Sequence, residues 1–192
     1  MKKGEYNHLS DSEVVELISQ KGEKDLFEIL YRRYHQKVFE KCYTLLKNRS
    51  VAEELAEDIF SKVYEKILST KSVTHFSSWL YSLTYNQCID YLREKKRLHY
   101  PEWNRLNEIA EIPDESEEDF SEIDYDLLQS VLEMIHPEEK ALLMMKYQDN
   151  LSLKDIGKSL RISDDAVKMR LKRARTRVIY LYKRVTNSSN DV

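Results

Sequence analysis

Eleven lysines and arginines stand between Lys154 and Arg184 against three aspartates, a local excess of about eight positive charges in a chain whose net charge is −3. Cations gathered in this way neutralise phosphates and donate hydrogen bonds to base edges. Their spacing within Leu151–Arg177, LSLKDIGKSLRISDDAVKMRLKRARTR, directs them outward: Val167, Leu171, Ala174 and Val178 recur at helical spacing as an apolar stripe. Lys168 and Lys172 fall on the opposite face, with Arg170, Arg173, Arg175 and Arg177 spread around and beyond it. To present those groups to a groove, the segment must fold as two helices around a tight turn. Ser152 is placed to cap the first, with Asp155 three residues on as in a capping box, and Ile156, Gly157 and Leu160 face inward. Arg161 and Ile162 form the turn, and Ser163 caps a second helix whose first turn carries Asp164 and Asp165, as the helix dipole favours. That is a helix-turn-helix, the second helix shaped for the DNA major groove.

Other chemistries lack their residues. There is no Gly-rich phosphate loop, no His-Glu-x-x-His and no paired Cys-x-x-Cys, and the five histidines (His8, His35, His75, His99, His136) have no metal-ligand spacing. No catalytic residue, metal or cofactor is expected, and the chain does not read as an enzyme. Cys42 and Cys88 are far apart in apolar helical contexts with no signal peptide ahead of them, which predicts reduced core residues rather than a disulfide. No apolar run approaches the ~20 residues that span a bilayer. A soluble, cytoplasmic protein without membrane insertion is expected.

With three Gly, three Pro and 34% charged residues, the composition suits helices and not sheets, so the expected class is all-α. A short leading helix near Asp11–Gln20 precedes one carrying Phe27, Leu30, Tyr31, Tyr34, Val38, Cys42 and Leu45. After a turn at Asn48–Ser50 the next carries Ala52, Leu55, Ala56, Ile59, Val63 and Ile67, and a third runs from about Phe76 to Leu92. Eleven acidic residues then stand against Arg105 alone between Glu102 and Asp126, with Pro101 and Pro113 interrupting any helix. Such a stretch stays solvated, as a linker or as a polyanion that mimics nucleic acid in a partner's basic channel. Two small helical domains, 1–99 and 126–192, flank this acidic linker of 100–125. Helices Leu127–Ile135 and one opened by Pro137, with Glu138 and Glu139 in its first turn, lead into the helix-turn-helix.

The third N-terminal helix mixes aromatics with cations. Phe76, Trp79, Tyr81, Tyr85 and Tyr91 lead into Arg93, Lys95, Lys96 and Arg97. Aromatic faces stack on unpaired bases for about 1–3 kcal/mol each while cations hold the backbone. Phe76 and Trp79 read first as core. Asn86, Arg93 and the loop Thr70–His75 are the better candidates to touch a single strand.

Taken in order, these stretches resemble a bacterial RNA polymerase sigma factor of the extracytoplasmic-function (ECF) group. LFEILYRRYHQKVF, VAEELAEDIFSKVYEKI and FSSWLYSLTYNQCIDYLREKKR are similar to the family's region 2, and LSLKDIGKSLRISDDAVKMRLKRAR to its region 4. The resemblance implies that Glu54, Glu57, Asp58, Phe60 and Tyr64 dock on the clamp helices of core RNA polymerase. It also implies that Lys71, Ser72, Thr74 and His75 form the pocket for a flipped base of the −10 element, with Asn86, Arg93, Lys95, Lys96 and Arg97 steadying melted DNA. Ser163, Lys168, Arg170, Lys172, Arg173 and Arg175 would engage the −35 duplex, Lys168 and Arg170 in the groove and Arg173 and Arg175 on phosphates. An anti-sigma factor and a monomeric free state are further implied.

The chain departs from the family pattern at several positions: Glu57 and Asp58 where Gln and Glu are usual, Thr70-Lys71-Ser72 in place of Phe-Arg-Gly, Arg161 for the turn glycine, and Ala166 for a frequent Thr. A stand-alone helix-turn-helix regulator would explain the C-terminal block but leave the helices at 52–68 and 76–97 without purpose.

Overall fold

The computed structural model describes residues 8–22, 24–69, 73, 75–96 and 123–190, and all regular structure among them is helical, as the composition predicts. The chain folds as two units, Met1–Glu94 and Lys95–Val192.

In the first unit, α1 (Asp11–Lys21) starts where Ser10 Oγ accepts from the Glu13 amide at 3.3 Å, while the Glu13 carboxylate accepts from the Ser10 amide at 2.7 Å. It ends at Gly22, whose φ of 65° is open to a residue without Cβ. Helices α2 (Lys24–Leu46) and α3 (Arg49–Ser69) pack on each other and on α1. The turn between them is tighter than the sequence suggests. Lys47 takes a φ of 54°, and Asn48 Oδ1 accepts from the Val51 amide at 3.1 Å, so α3 begins at Arg49 rather than after Ser50. Helix α4 (Phe76–Lys96) closes the core against α2. Leu30, Val38 and Cys42 of α2, Ile59, Val63 and Ile67 of α3, and Leu80 and Cys88 of α4 are fully buried. Each Val, Leu or Ile so placed contributes about 1.5–3 kcal/mol. Polar clamps complete the unit: Arg33 reaches Asp11 and the Leu9 carbonyl, both at 2.7 Å, and the Tyr34 hydroxyl donates to Asp11.

In the second unit, Asp124 caps α5 (Tyr125–Met134) by accepting from the Asp126 and Leu127 amides. Pro137 opens α6 (Pro137–Leu143) as expected, but His136 is its cap: Nδ1 accepts from the Glu138 amide at 3.3 Å, and Glu139 accepts from the His136 amide at 3.2 Å. A π-turn over Met144–Gln148 follows, then α7 (Leu153–Leu160) and the 27-residue α8 (Asp164–Asn190). Helix α8 packs on α5, α6 and α7. Val131, Met145, Ile156, Val167 and Ala174 are fully buried, and with them Glu139, whose Oε2 pairs with Arg177 at 3.1 Å. Burial raises the Glu139 carboxyl above the usual range, and the Arg177 guanidinium opposes that shift.

Candidate nucleic-acid interface

The segment Leu151–Arg177 folds as the helix-turn-helix that its caps specify. Ser152 Oγ accepts from the Asp155 amide at 3.1 Å and donates to the Asp155 carboxylate at 2.6 Å; Ser163 Oγ accepts from the Ala166 amide at 3.2 Å. Arg161 occupies the left-handed turn position at φ 56°, and the Ile162 amide donates to the Gly157 carbonyl at 2.9 Å. The glycine that this turn demands is Gly157, because a Cβ there would stand 2.8 Å from the Ile162 carbonyl oxygen. The two helices can approach this closely only through a bare Cα.

That turn sets the rotation of α8. Val167, Leu171 and Ala174 are buried and Val178 half-buried, which leaves Lys168, Lys172, Arg173 and Arg175 exposed and Arg170 half-buried at the edge. Lys168 pairs with Asp165 at 3.1 Å in the first turn. Arg177 belongs elsewhere: its bond to Glu139 makes it a structural ion pair rather than part of the basic surface. Met169, which the sequence reading passed over, is 52% exposed among the cations.

In the first unit, α3 turns Glu54, Glu57 and Asp58 to solvent. Phe60 requires a correction. It was expected on the outer face, but it is 2% exposed, packed against the rings of Phe27, Tyr31 and His35. An apolar ring at that position gains more from burial between α2 and α3 than a surface site offers. Tyr64 also leans inward, its ring 5.1 Å from that of Phe27 and its hydroxyl donating to the Gly22 carbonyl at 3.1 Å. Two residues outside the expected set join the acidic face instead. Tyr31 donates to Glu57 at 2.6 Å, and His35 Nε2 lies 3.1 Å from the same carboxylate oxygen. Burial, then the hydrogen bond to Glu57, pushes the Tyr31 phenol up to about 12, so it stays protonated as the donor.

Helix α4 sorts its aromatics in the same way. Phe76 and Tyr85 are buried, and the Lys41 ammonium sits 4.4 Å from the Tyr81 ring centroid, so these rings build the interior rather than meet bases. Trp79, Asn86 and Arg93 recur every seven residues along one face; Trp79, its ring 5.9 Å from that of Phe76, and Asn86 are half-buried, and Arg93 is exposed. Arg93 lies 3.7 Å from Asp90, His75 and Lys95 are exposed, and Lys96 closes the helix. Lys71, Ser72, Thr74 and Arg97 lie outside the described residues, as do residues 100–122 of the acidic segment.

Comparison with known proteins places both halves. Residues 30–98 match Sigma-70 region 2, and residues 125–178 match Sigma-70, region 4. The chain is 29% identical over 167 residues to the ECF RNA polymerase sigma factor SigW of Bacillus subtilis, covering 81% of this chain and 88% of that one. It is 28% identical over 177 residues to the ECF RNA polymerase sigma-E factor of Haemophilus influenzae, covering 87% and 92%. Among solved structures, CnrH in complex with the cytosolic domain of CnrY shares the fold at a TM-score of 0.60 and 15% identity, covering 91% of this chain and 98% of that one. The sigma factor RpoE, in complex with the anti-sigma factor NepR from Bartonella quintana, does so at 0.58 and 18%, covering 82% and 96%. With region 2 on the helices that carry the acidic and aromatic faces, and region 4 on the helix-turn-helix, the chain belongs to the sigma-70 family as an RNA polymerase sigma factor of the ECF group.

Proposed function

We propose that this protein joins core RNA polymerase through the exposed carboxylates of α3, holds the −35 duplex with α8, and traps unpaired −10 bases with α4 and the segment before it. The observation that carries this reading is the rotation of α8, which buries Val167, Leu171 and Ala174 and so leaves Lys168, Lys172, Arg173 and Arg175 exposed, Lys168 and Lys172 one turn apart on its open side. Cations on a helix of that shape contact phosphates and base edges together. On α3, Glu54, Glu57 and Asp58 form an acidic surface suited to a basic helical partner. At the −10 element, half-buried Asn86 and exposed Arg93 on one face of α4, with His75 and Lys95 at its ends, would hold a separated strand. Lys71, Ser72 and Thr74 are proposed for the flipped base, and Lys96 and Arg97 for adjoining phosphates. Melting is driven by the energy of binding unstacked bases, so no hydrolysis or cofactor is required.

An anti-sigma factor is proposed as the regulatory partner, since the sigma factor RpoE, of similar fold, was solved with one. The free protein is proposed to be a cytoplasmic monomer. Among the described residues no helix is long and apolar enough to cross a membrane.

The test is size-exclusion co-elution with purified core RNA polymerase, using the wild type and the Glu54→Lys/Asp58→Lys double variant. Stoichiometric co-elution that the charge reversal abolishes supports the reading. A folded wild type that never co-elutes, yet binds duplex DNA, would establish the stand-alone regulator instead.

A further inference from the structure

An exposed methionine on a DNA-facing ridge calls for a reason. Met169 lies two residues after Val167 and two before Leu171, about 200° round the helix from each. Since those two are buried, Met169 stands at the crest of the open side, and it is 52% exposed. Asp165 and Lys172 continue the same ridge at four and three residues' distance, while Lys168 is held beside Asp165 at 3.1 Å. The residue at the crest of the open side is therefore apolar and flanked by charge.

A thioether has no hydrogen to donate and accepts only weakly. It cannot read the donor and acceptor pattern that distinguishes guanine, cytosine and adenine in the major groove. One base edge there offers an apolar group, the C5-methyl of thymine. The unbranched, polarisable side chain of methionine adapts to such a group without strain. In the proposed docking the longer cations beside it take the phosphates, which leaves the crest to face the floor of the groove.

We infer that Met169 is a specificity-determining residue that reads a thymine methyl in the −35 element. This rests on the proposed docking of α8 in that groove. It assigns one position of the recognition sequence to one side chain, with Arg173 and Arg175 fixing the register from the backbone.

The experiment uses holoenzyme reconstituted from the full chain and core RNA polymerase. Duplexes randomised across the −35 element are selected for binding, and each thymine of the winner is replaced singly by deoxyuridine, which removes the methyl group alone. The expected result is one thymine whose replacement weakens binding about fourfold, the effect of losing one buried carbon. Met169→Ala should lose a similar factor on thymine and no longer distinguish the two bases, and Met169→Leu should retain the distinction. Circular dichroism checks that both variants are folded, which their exposed position favours. A wild type indifferent to every replacement, a winner without thymine, or a Met169→Ala variant that still discriminates would each overturn the inference. If no −35 sequence is enriched at all, the proposed docking of α8 fails first and takes the inference with it; that outcome is distinct because it precedes any base replacement.

Discussion

The closest approach in the helix-turn-helix sets up a contest between two effects of known size in Gly157→Ala. Alanine is favoured over glycine in a helix interior by about 0.5–1 kcal/mol. Against this, the new Cβ would stand 2.8 Å from the Ile162 carbonyl oxygen, 3.1 Å from Asp164 Oδ1 and 3.6 Å from Val167 Cγ2. Carbon and oxygen settle at about 3.3–3.6 Å, so the turn must open by roughly half an ångström. The nearest atom is backbone and cannot swing aside as a side chain would. Overpacking of this kind costs about 1–3 kcal/mol. The net expectation is a loss of about 1–2 kcal/mol, a five- to thirtyfold rise in local opening. Amide hydrogen exchange of the full chain, followed by mass spectrometry, should show peptides from α7 and the first half of α8 exchanging faster by that factor. Peptides from α2 and α3 should be unchanged. Exchange in α7 that stays constant or slows would refute the reasoning, because the turn would then have slack and helix propensity would decide the outcome.

Arg161→Gly should act in the opposite direction. Relief of a left-handed conformation at φ 56° is worth about 1–2 kcal/mol, offset by about 0.4–1 kcal/mol of unfolded-chain entropy, so denaturant titration should show a small gain in stability. Phe60→Ala should cost about 3–5 kcal/mol and lower the melting temperature, whereas Glu54→Lys/Asp58→Lys should leave it nearly unchanged and affect polymerase binding alone. Glu139 supplies a pH dependence. Its carboxyl is raised by burial, so the folded state holds that proton more tightly than the unfolded chain does. Its contribution is therefore fully present below the ordinary carboxylate range and is lost as pH rises through the raised value. The stability of the wild type relative to Glu139→Gln should improve as pH falls from neutral into that window, and thermal melts of both proteins across pH would show it. Cys42 and Cys88 are both buried with sulfurs 3.6 Å apart, and the hydrogen bond to Cys42, then burial, raises the Cys88 thiol. Both should therefore resist alkylation in buffer and react fully in denaturant, as mass spectrometry would read.

What the sequence disclosed depended on how local the cause was. Ser152, Ser163 and the Val167–Leu171–Ala174 stripe act within one or two turns, and both serines cap as expected, although Asp155 accepts from the Ser152 hydroxyl rather than from its amide, so the capping box is left half-made. Helical period also located α1 to α4, but it identifies an apolar face without saying which neighbour covers it. Phe60 was misplaced for that reason: the rings that bury it, Phe27, Tyr31 and His35, lie 25 to 33 residues earlier in the chain. The same distance hid the engagement of Glu57 by Tyr31 and His35, and the withdrawal of Arg177 by Glu139. His136 escaped notice as a cap because imidazole is outside the usual Ser, Thr, Asp and Asn set, although Glu139 three residues on was an available clue. The positive φ of Arg161 was legible from its place in the turn. The compensating need for a bare Cα at Gly157 appears only once the two helices meet.

Helix α8 runs unbroken for 27 residues, about 40 Å, from the cap at Ser163 to Asn190. Such a helix stores phase as well as length. The exposed crest near its start and the Arg177 anchor further along are locked at one fixed angle about a common axis. Inserting a single residue between Ala174 and Arg177 would turn everything beyond it by about 100° while leaving Lys168, Met169 and Lys172 in place. Arg177 would then swing away from Glu139 and leave that carboxylate buried without its guanidinium. The chain can thus vary the exposed side chains of the crest one at a time, but the number of residues between crest and anchor is not free to drift.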